Sequence, residues 1–187
     1  CCGMPFNSKG MFEQANQKRN AMLDKLAQLS EQGKYPILMD TSPCKSMLIE
    51  NKEQTSLLSI YEPVGFVEDI LVNHLDFSPI DEPVMLHVTC TSQKMGLADK
   101  MQQLAQRCSS QVIIPEHIQC CGFAGDKGFT TPELNENALA PLKKQVPKGC
   151  VTGYSNSRTC EIGLSHHAGI DYQSILYLVD KATTARV

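Results

Sequence analysis

The residues best suited to chemistry in this sequence are its nine cysteines. Four of them form two adjacent pairs, in the triplets Cys1-Cys2-Gly3 and Cys120-Cys121-Gly122. An odd number of cysteines cannot pair completely within one chain, and adjacent cysteines are poorly suited to ordinary disulfide geometry. Outside disulfide scaffolds, clustered cysteines more often bind metal or carry out redox reactions. We therefore predict a metal or redox site.

Four cysteines are predicted to converge on one edge of a sheet. Cys90 ends a predicted strand, and Cys160 lies in the first turn of a predicted helix. Cys120 and Cys121 lie in the loop that follows a further strand. In parallel α/β units the strand ends, the loops after them and the helix N-termini gather on one edge of the sheet. These four thiols are therefore our candidate metal ligands.

A second, incomplete set of candidate ligands lies in the first part of the chain, at Cys1, Cys2 and Cys44. Cys44 resembles Cys160 in its setting, because both follow a capping residue at a predicted helix start. The partial positive charge and free N–H groups of a helix N-terminus favour the thiolate form, which is the form that binds metal.

Other polar residues have simpler explanations. We interpret Cys108 and Cys150 as small buried hydrophobic residues. His87 and His117 lie near the cysteines and are interpreted as surface histidines, with His117 the better candidate ligand. Arg158, beside Cys160, is a candidate to offset cluster charge or a solvated residue at a helix start.

Two further motifs have a structural explanation. The pair His166-His167 is explained by interaction with the carbonyl groups at a helix end. The glycine-rich stretch 122–128 lacks the Gly-Lys-Ser/Thr ending of a phosphate-binding loop. Its glycines are better explained by a backbone that wraps closely around a cluster.

Apolar periodicity, capping residues and breakers predict alternating helices and strands. The predicted helices cover 11–32, 43–48, 63–75, 94–108, 132–145, 157–166 and 172–183. The predicted strands cover 35–39, 57–61, 84–88, 111–114 and 150–153. This alternation predicts an α/β fold with small, mostly parallel sheets flanked by helices.

The two Cys-Cys-Gly triplets begin an internal repeat. Each triplet is followed by a glycine-containing loop, a helix, a strand and a capped helix that carries Cys44 or Cys160 near its start. With 76–83 as the predicted linker, the repeats are 1–80 and 81–187, which we expect to form two tandem, pseudo-symmetric lobes. The first repeat lacks the strand that precedes Cys90 in the second, so we expect the chain to be part of a longer polypeptide.

Composition narrows the classes of function. The formal net charge is −3, from 17 basic and 20 acidic residues that are spread along the chain, which argues against a nucleic-acid partner. No apolar run approaches the roughly 20 residues of a spanning helix. No export signal is visible, and we expect a cytoplasmic location.

The order Cys90, Cys120-Cys121-Gly122, Ser157-Arg158-Thr159-Cys160 resembles the cysteine-rich domain family with the CCG signature. In that family the pattern is a cysteine, a Cys-Cys-Gly triplet and a closing Cys-x-x-Cys. This sequence departs from it, because Ser157 stands at the first cysteine of the closing pair and Thr41 does so in the first repeat. The second repeat therefore offers four thiols instead of five.

The resemblance implies a function in electron transfer. Tandem domains of this family occur in heterodisulfide reductase and in the iron–sulfur parts of glycolate oxidase and glycerol-3-phosphate dehydrogenase. The amino-acid sequence around both triplets and over 156–161 is most similar to the C-terminal part of FAD-linked, iron–sulfur D-lactate dehydrogenases. In that group FAD binds an N-terminal part of the same polypeptide, which would be a partner of this segment.

The resemblance further implies an iron–sulfur cluster, of the 4Fe-4S type, that passes electrons from the flavin towards a quinone or another acceptor. The segment alone is not expected to have dehydrogenase activity. The full-length enzyme would be cytoplasmic or peripherally bound at the inner face of the cytoplasmic membrane. The missing fifth thiol argues against the unusual cluster of heterodisulfide reductase.

Three alternatives stay open. Four thiolates also suit a structural zinc ion. The lobes could instead be a docking platform for the flavin half with vestigial cysteines. A disulfide-reductase activity would rest on reactive thiols at helix starts.

Overall fold

The computed structural model describes residues 1–50 and 55–186. The chain forms two compact units, Cys1–Glu62 and Pro63–Val187. This division describes packing in space, and the division of the sequence into repeats at residue 80 stays a prediction. In the described part of the chain, no helix combines the length and apolar character needed to cross a membrane.

The first unit is a small two-stranded α/β structure. Its elements are α1 (Met4–Asn7), α2 (Phe12–Leu29), β1 (Ile37–Leu38), α3 (Ser42–Ile49) and β2 (Ile60–Tyr61). Strands β1 and β2 pair in parallel, with Ile37 opposite Ile60. The long helix α2 places Ala15 and Leu23 in the core.

The second unit is built on a four-stranded parallel sheet. Its strands are β4 (Ile80–Leu86), β5 (Ser109–Ile113), β6 (Thr152–Ser155) and β7 (Asp171–Ser174), in the order β5-β4-β6-β7. A short strand β3 (Leu75–Phe77) pairs antiparallel with β8 (Thr183–Ala185). The observed α/β class with small, mostly parallel sheets agrees with the sequence prediction.

Helices flank this sheet and connect its strands. They are α4 (Pro63–Phe66), α5 (Cys90–Lys94), α6 (Ala98–Cys108), α7 (Lys127–Thr130), α8 (Pro132–Leu139), α9 (Arg158–Ala168) and α10 (Ile175–Ala182). Two apolar clusters form the core. One includes Leu104, Tyr154 and Leu178, and the other includes Met85 and Leu164.

Two local predictions were wrong, and one predicted helix is present but irregular. The predicted linker over 76–83 contributes to β3 and β4, because its polar residues lie at the start of a strand that continues into a buried run. The predicted helix over 63–75 becomes α4 followed by a π-helical turn and a 3₁₀ turn. The predicted last helix from Tyr172 begins only at Ile175, since 171–174 form the edge strand β7.

The internal repeat is visible in the topology of each unit taken by itself. In the first unit, β1 and β2 are parallel, and α3 lies between them in the sequence. In the second unit, β6 and β7 are parallel and α9 connects them. Each Cys-Cys-Gly triplet precedes its strand–helix–strand segment in the sequence.

Candidate metal centre

The four candidate thiols of the second unit lie beyond the carboxyl ends of the parallel strands. Cys90 is the first residue of α5, which begins shortly after β4 ends at Leu86. Strand β4 lies between β5 and β6, so the chain leaves it towards β5 and later returns on its other side at β6. Such a switch point opens a crevice at the carboxyl edge of a parallel sheet.

Thr89 fixes the start of α5, because its side chain accepts a hydrogen bond from the Ser92 amide at 3.2 Å. Its hydroxyl also lies 3.0 Å from Oδ1 of Asn156, whose Nδ2 donates to Ser92 at 2.7 Å. All three side chains are at most 1% exposed. This buried network joins the turn that carries Cys90 to the segment immediately before α9, which carries Cys160.

The Cys-Cys-Gly triplet lies in the loop after β5. Gly122 has φ +73°, and a Cβ there would overlap the backbone carbonyl of Leu134. The Asn135 side chain donates to the Cys121 carbonyl, which holds the triplet against α8. The Gly122 amide donates to Sγ of Cys120 at 3.3 Å. This loop therefore presents two sulfurs at positions fixed by backbone contacts.

Cys160 is the third residue of α9, whose N-cap is Ser157. Ser157 is 2% exposed, and its side chain acts to lower the pKa of the Cys160 thiol. The residue that replaces the family cysteine therefore still influences the charge of a candidate ligand.

The Cys121 and Cys160 sulfurs lie 2.9 Å apart and share a hydrogen bond. With Cys160 as the donor, this bond stabilises the Cys121 thiolate and lowers the pKa of Cys121 from 9.0 to about 7. The same bond, followed by burial, raises the pKa of Cys160. One member of the pair is thus prepared to become a thiolate near neutral pH.

Cys90 and Cys120 complete the cluster on its exposed side. Burial is the main cause of the raised pKa of Cys120, and a hydrogen bond with Cys90 adds to it. Cys121 and Cys160 are buried in the apolar core around Met85 and Leu164, whereas Cys90 and Cys120 are exposed. The structure therefore brings the four predicted thiols together at one edge of the sheet, half in the core and half at the surface.

The donor set suits a metal or an iron–sulfur group, because all four cysteines are free thiols. Among the described residues, no three His, Cys, Asp or Glu side chains are already arranged around a single ion. The 2.9 Å between the Cys121 and Cys160 sulfurs is a hydrogen-bond separation. Two sulfurs on a tetrahedral zinc ion lie about 3.8 Å apart, given Zn–S bonds of about 2.3 Å. Binding of either group would thus require these side chains to rotate.

The first unit contains a matching sulfur pair. Cys2 and Cys44 lie 3.2 Å apart, and this contact lowers the pKa of Cys2 from 9.0 to about 6 while it raises that of Cys44. Cys44 is the third residue of α3, as Cys160 is of α9. Gly3 has φ +92°, and a Cβ there would overlap the carbonyl of Ala15, twelve residues further on, as with Gly122 and Leu134.

The remaining cysteines lie outside the cluster. Cys108 ends α6 in the other apolar core, where burial raises its pKa to about 12. Cys150 is buried, and its thiol donates to the Thr152 carbonyl at 3.4 Å. Both match the interpretation as buried apolar residues.

The structure corrects one histidine assignment and explains three others. His87 is 1% exposed and therefore is not a surface histidine, because it continues the buried run of β4. His117 is exposed. His166 and His167 lie in the last turn of α9, which ends at Gly169 with φ +74°.

Arg158 forms an ion pair with Glu161 at 3.3 Å. The Arg158 side chain is 73% exposed and the Glu161 side chain is 5% exposed. Arg158 therefore faces a carboxylate partner on its own helix, one turn along.

The residues that sequence analysis missed are the polar groups that support the cysteines. Asn135, Asn156, Thr89 and Ser92 are buried and hydrogen-bonded around the sulfurs or their backbone. Thr89 directly precedes Cys90 and could have been identified by that position, whereas the other three residues are not adjacent to a cysteine in the sequence.

Comparison with known proteins shows which family the region around the cluster resembles. Residues 84–162 match the sequence model of the family described as cysteine-rich domain, CCG. The chain is also similar to lactate utilization protein A 1 of Bacillus mycoides (strain KBAB4), with 22% identity over 162 residues. That match covers 78% of this chain and 64% of the relative, so it spans less than two thirds of the relative's length.

No solved structure matches the chain. The family match includes all four cysteines of the cluster in the second unit. It covers the end of β4, before Cys90, and the first turn of α9, which are the elements that position the outermost ligands in the sequence. Residues 84–162, which hold these four cysteines, are therefore similar to the cysteine-rich domain of the CCG family.

Proposed function

We propose that this chain is an iron–sulfur electron-transfer module that serves the oxidation of a 2-hydroxy acid such as lactate. The proposed ligands of a 4Fe-4S cluster are Cys90, Cys120, Cys121 and Cys160. The observation that carries the proposal is the gathering of four free thiols from three distant sequence positions at one sheet edge. Such thiolate sets hold iron–sulfur clusters in other proteins.

The proposed substrate class rests on lactate utilization protein A 1 of Bacillus mycoides, the relative described above, whose name refers to lactate utilization. Oxidation of a 2-hydroxy acid to a 2-oxo acid releases two electrons and two protons, so it needs an electron acceptor. We propose that FAD on another part of the same polypeptide receives these electrons first. This module would then pass them towards a quinone or another acceptor.

The location of the protein follows from that assignment. We propose that the protein is cytoplasmic, with peripheral association of the full-length enzyme with the inner face of the membrane where a quinone is the acceptor. The module by itself would lack dehydrogenase activity, because the flavin would be bound elsewhere.

When bound, an iron–sulfur cluster supplies one-electron redox chemistry. Backbone and side-chain groups of this chain position the cysteine sulfurs and stabilise negative charge on them. The Gly122 amide donates to the Cys120 sulfur at 3.3 Å, and the Ser157 side chain acts to lower the pKa of Cys160. Donors to ligand sulfurs stabilise negative charge there and raise the reduction potential. The exposed Cys90 and Cys120 mark the side through which a redox partner would approach.

Anaerobic reconstitution of the chain with iron and sulfide tests the proposal. Wild type should bind about four irons and four sulfides at this site and give an EPR signal after reduction. Cys121→Ser should lose that iron and that signal. Cys108→Ser is a matched control, because Cys108 is equally buried but lies in the other apolar core.

Two outcomes would contradict the proposal. Stoichiometric zinc that iron cannot replace would identify a structural zinc site on the same thiols. Iron content unchanged by Cys121→Ser would mean that the cluster in the second unit does not hold it. If neither iron nor zinc binds, the result favours the interpretation of the lobes as a docking platform. Electron flow in the full-length enzyme should then be unchanged by Cys121→Ser.

The incomplete set Cys1, Cys2 and Cys44 is a proposed second site. Its sulfur pair repeats the geometry of the main site, but the first repeat contains no counterpart of Cys90. Cys44→Ser should therefore remove any iron beyond the first cluster and leave the EPR signal of the second unit unchanged.

A further inference from the structure

A cavity of about 360 Å³ lies beside the cysteine cluster in the second unit. Its lining comes from the segments that follow β4 and β5 and from helices α5 and α6. Apolar side chains predominate, among them Leu86, Val88, Ala98, Ile114 and Ile118. Its volume is in the range of pockets that hold small molecules.

His87 contributes a polar group to the lining of this mostly apolar cavity. It lines the cavity and is 1% exposed. Its Nδ1 lies 3.2 Å from Oγ of Ser155, but its Nε2 is buried and has no hydrogen-bond partner. Buried polar atoms are nearly always paired, so an unpaired one indicates a partner such as a water or a ligand.

The hydrogen bonds around His87 determine what kind of partner Nε2 needs. The Ser155 hydroxyl donates its only hydrogen to the His87 carbonyl at 3.0 Å. Oγ of Ser155 therefore accepts from Nδ1–H, and Nε2 carries the lone pair of the neutral ring. Burial lowers the pKa of His87 to about 4, so the ring stays neutral at pH 7. The partner must be a hydrogen-bond donor.

The Nδ1 contact with Ser155 orients the ring, and hydrogen bonds of the backbone hold the segment that carries it. The His87 amide donates to the Tyr154 carbonyl at 2.9 Å, which extends the pairing of β4 with β6 by one residue. The Gln93 side chain donates to the Val88 carbonyl at 3.2 Å and holds the neighbouring backbone. The acceptor is therefore preorganised on a wall of a mostly apolar cavity.

We propose that this cavity is a binding site for a single-ring phenol, whose ring occupies the apolar space and whose hydroxyl donates to Nε2 of His87. The site adjoins the thiol cluster, because the lining residues Val88 and Ile118 each precede a cluster cysteine by two positions. The proposal concerns binding alone and does not depend on the presence of a cluster.

The test compares phenol with toluene, which has a methyl group in place of the hydroxyl, as ligands of the full chain. Affinities are measured by NMR titration of the wild type and His87→Phe. One hydrogen bond is worth about a fivefold difference in affinity, so the phenol-to-toluene affinity ratio should fall about fivefold in His87→Phe. The ¹⁵N shift of His87 Nε2 should move on addition of phenol and stay unchanged with toluene.

A second variant keeps the test decisive if His87→Phe does not fold. Ala98→Leu adds a larger side chain to the lining and leaves His87 intact, so it should weaken both ligands. His74→Gln, which alters an exposed histidine, should change neither affinity. The proposal is overturned if phenol leaves the Nε2 shift unchanged, if Ala98→Leu binds phenol as wild type does, or if the affinity ratio survives in folded His87→Phe. A water would then be the partner of Nε2.

Discussion

The sulfurs of Cys121 and Cys160 lie 2.9 Å apart in the second unit, and those of Cys2 and Cys44 lie 3.2 Å apart in the first. In each pair one cysteine is the second residue of a Cys-Cys-Gly triplet and the other is the third residue of a helix. The agreement indicates that both copies of the repeat retain one way of bringing two thiols together.

The first prediction concerns ionisation of these pairs in the metal-free chain. The pKa of Cys121 is about 7 because Cys160 donates to its thiolate, so this thiolate forms as the pH rises through 7. In Cys160→Ala the donor is lost, and the pKa of Cys121 should rise towards 9.0. Ultraviolet absorbance of thiolates against pH measures the change. Cys108→Ala should leave the profile near neutral pH unchanged, because the pKa of Cys108 is about 12. A Cys160→Ala profile identical to that of wild type would contradict the donor role.

The second prediction concerns the backbone of the triplet. Gly122→Ala forces a side chain into a left-handed residue and against the carbonyl of Leu134. Left-handed backbone alone costs a residue with a Cβ about 1–2 kcal/mol. We expect a larger loss for Gly122→Ala, measured as the free energy of unfolding in urea.

Gly125→Ala separates the cost of the left-handed backbone from the cost of overlap with the Leu134 carbonyl. Gly125 also has a positive φ, of +82°, but a Cβ there meets open space. Gly122→Ala should therefore be more destabilising than Gly125→Ala by at least about 1 kcal/mol. Equal losses would show that the close approach to Leu134 adds nothing.

The sequence predicted elements with clear local signals. Helices α2, α3 and α9 follow apolar periodicity or a capping residue, and the structure contains all three. Strand β7 was missed because its four residues run directly into α10, and both were read as one helix. The start of β4 was missed because its residues are polar, although pairing with β5 holds them in the sheet.

The cysteines of the candidate site could be predicted from the sequence, because their residue type and spacing are unusual. The triplets and Cys160 stand out because cysteine is rare and adjacent pairs are rarer. The buried polar contacts that hold Cys90 near Cys160 join Thr89 and Ser92 to Asn156 across the sheet edge. No periodicity in the sequence relates positions so far apart. Only the parallel topology brings them together.

The third prediction tests this network. Asn156→Ala removes the hydrogen bonds of a buried side chain to Thr89 and Ser92 and leaves their hydroxyl groups with fewer partners. The expected loss is about 1–3 kcal/mol in the free energy of unfolding, together with lower iron uptake. Asn137→Ala is the control, because Asn137 is exposed and bonds only the Glu133 carbonyl of its own helix among the hydrogen bonds seen. It should change stability by no more than about 0.5 kcal/mol. Equal effects of the two variants would argue against a supporting role for Asn156.

The fourth prediction concerns acid stability. Burial lowers the pKa of His87 from 6.5 to about 4 in the native chain. Between these values the unfolded chain binds a proton that the native chain does not, so stability falls as the pH drops through this window. The total loss is about 3 kcal/mol and is absent above the upper value. His87→Phe should flatten the curve of unfolding free energy against pH in this window, whereas His74→Gln should retain its slope. An unchanged slope in His87→Phe would mean that other groups cause the acid sensitivity.

The last prediction concerns Ser157, the residue that departs from the family pattern. Its side chain acts to lower the pKa of Cys160, which is the effect of a donor near that sulfur, and donors to ligand sulfurs raise the reduction potential of a bound cluster. In the reconstituted chain, Ser157→Ala should therefore shift the potential to a more negative value at unchanged iron content, measured by EPR-monitored redox titration. Ser165→Ala is the control on the same helix, because that hydroxyl accepts a hydrogen bond from the Tyr172 amide at 2.8 Å. A potential that Ser157→Ala leaves unchanged would show that this hydroxyl does not act on the cluster, and the departure from the family pattern would then have no electronic consequence.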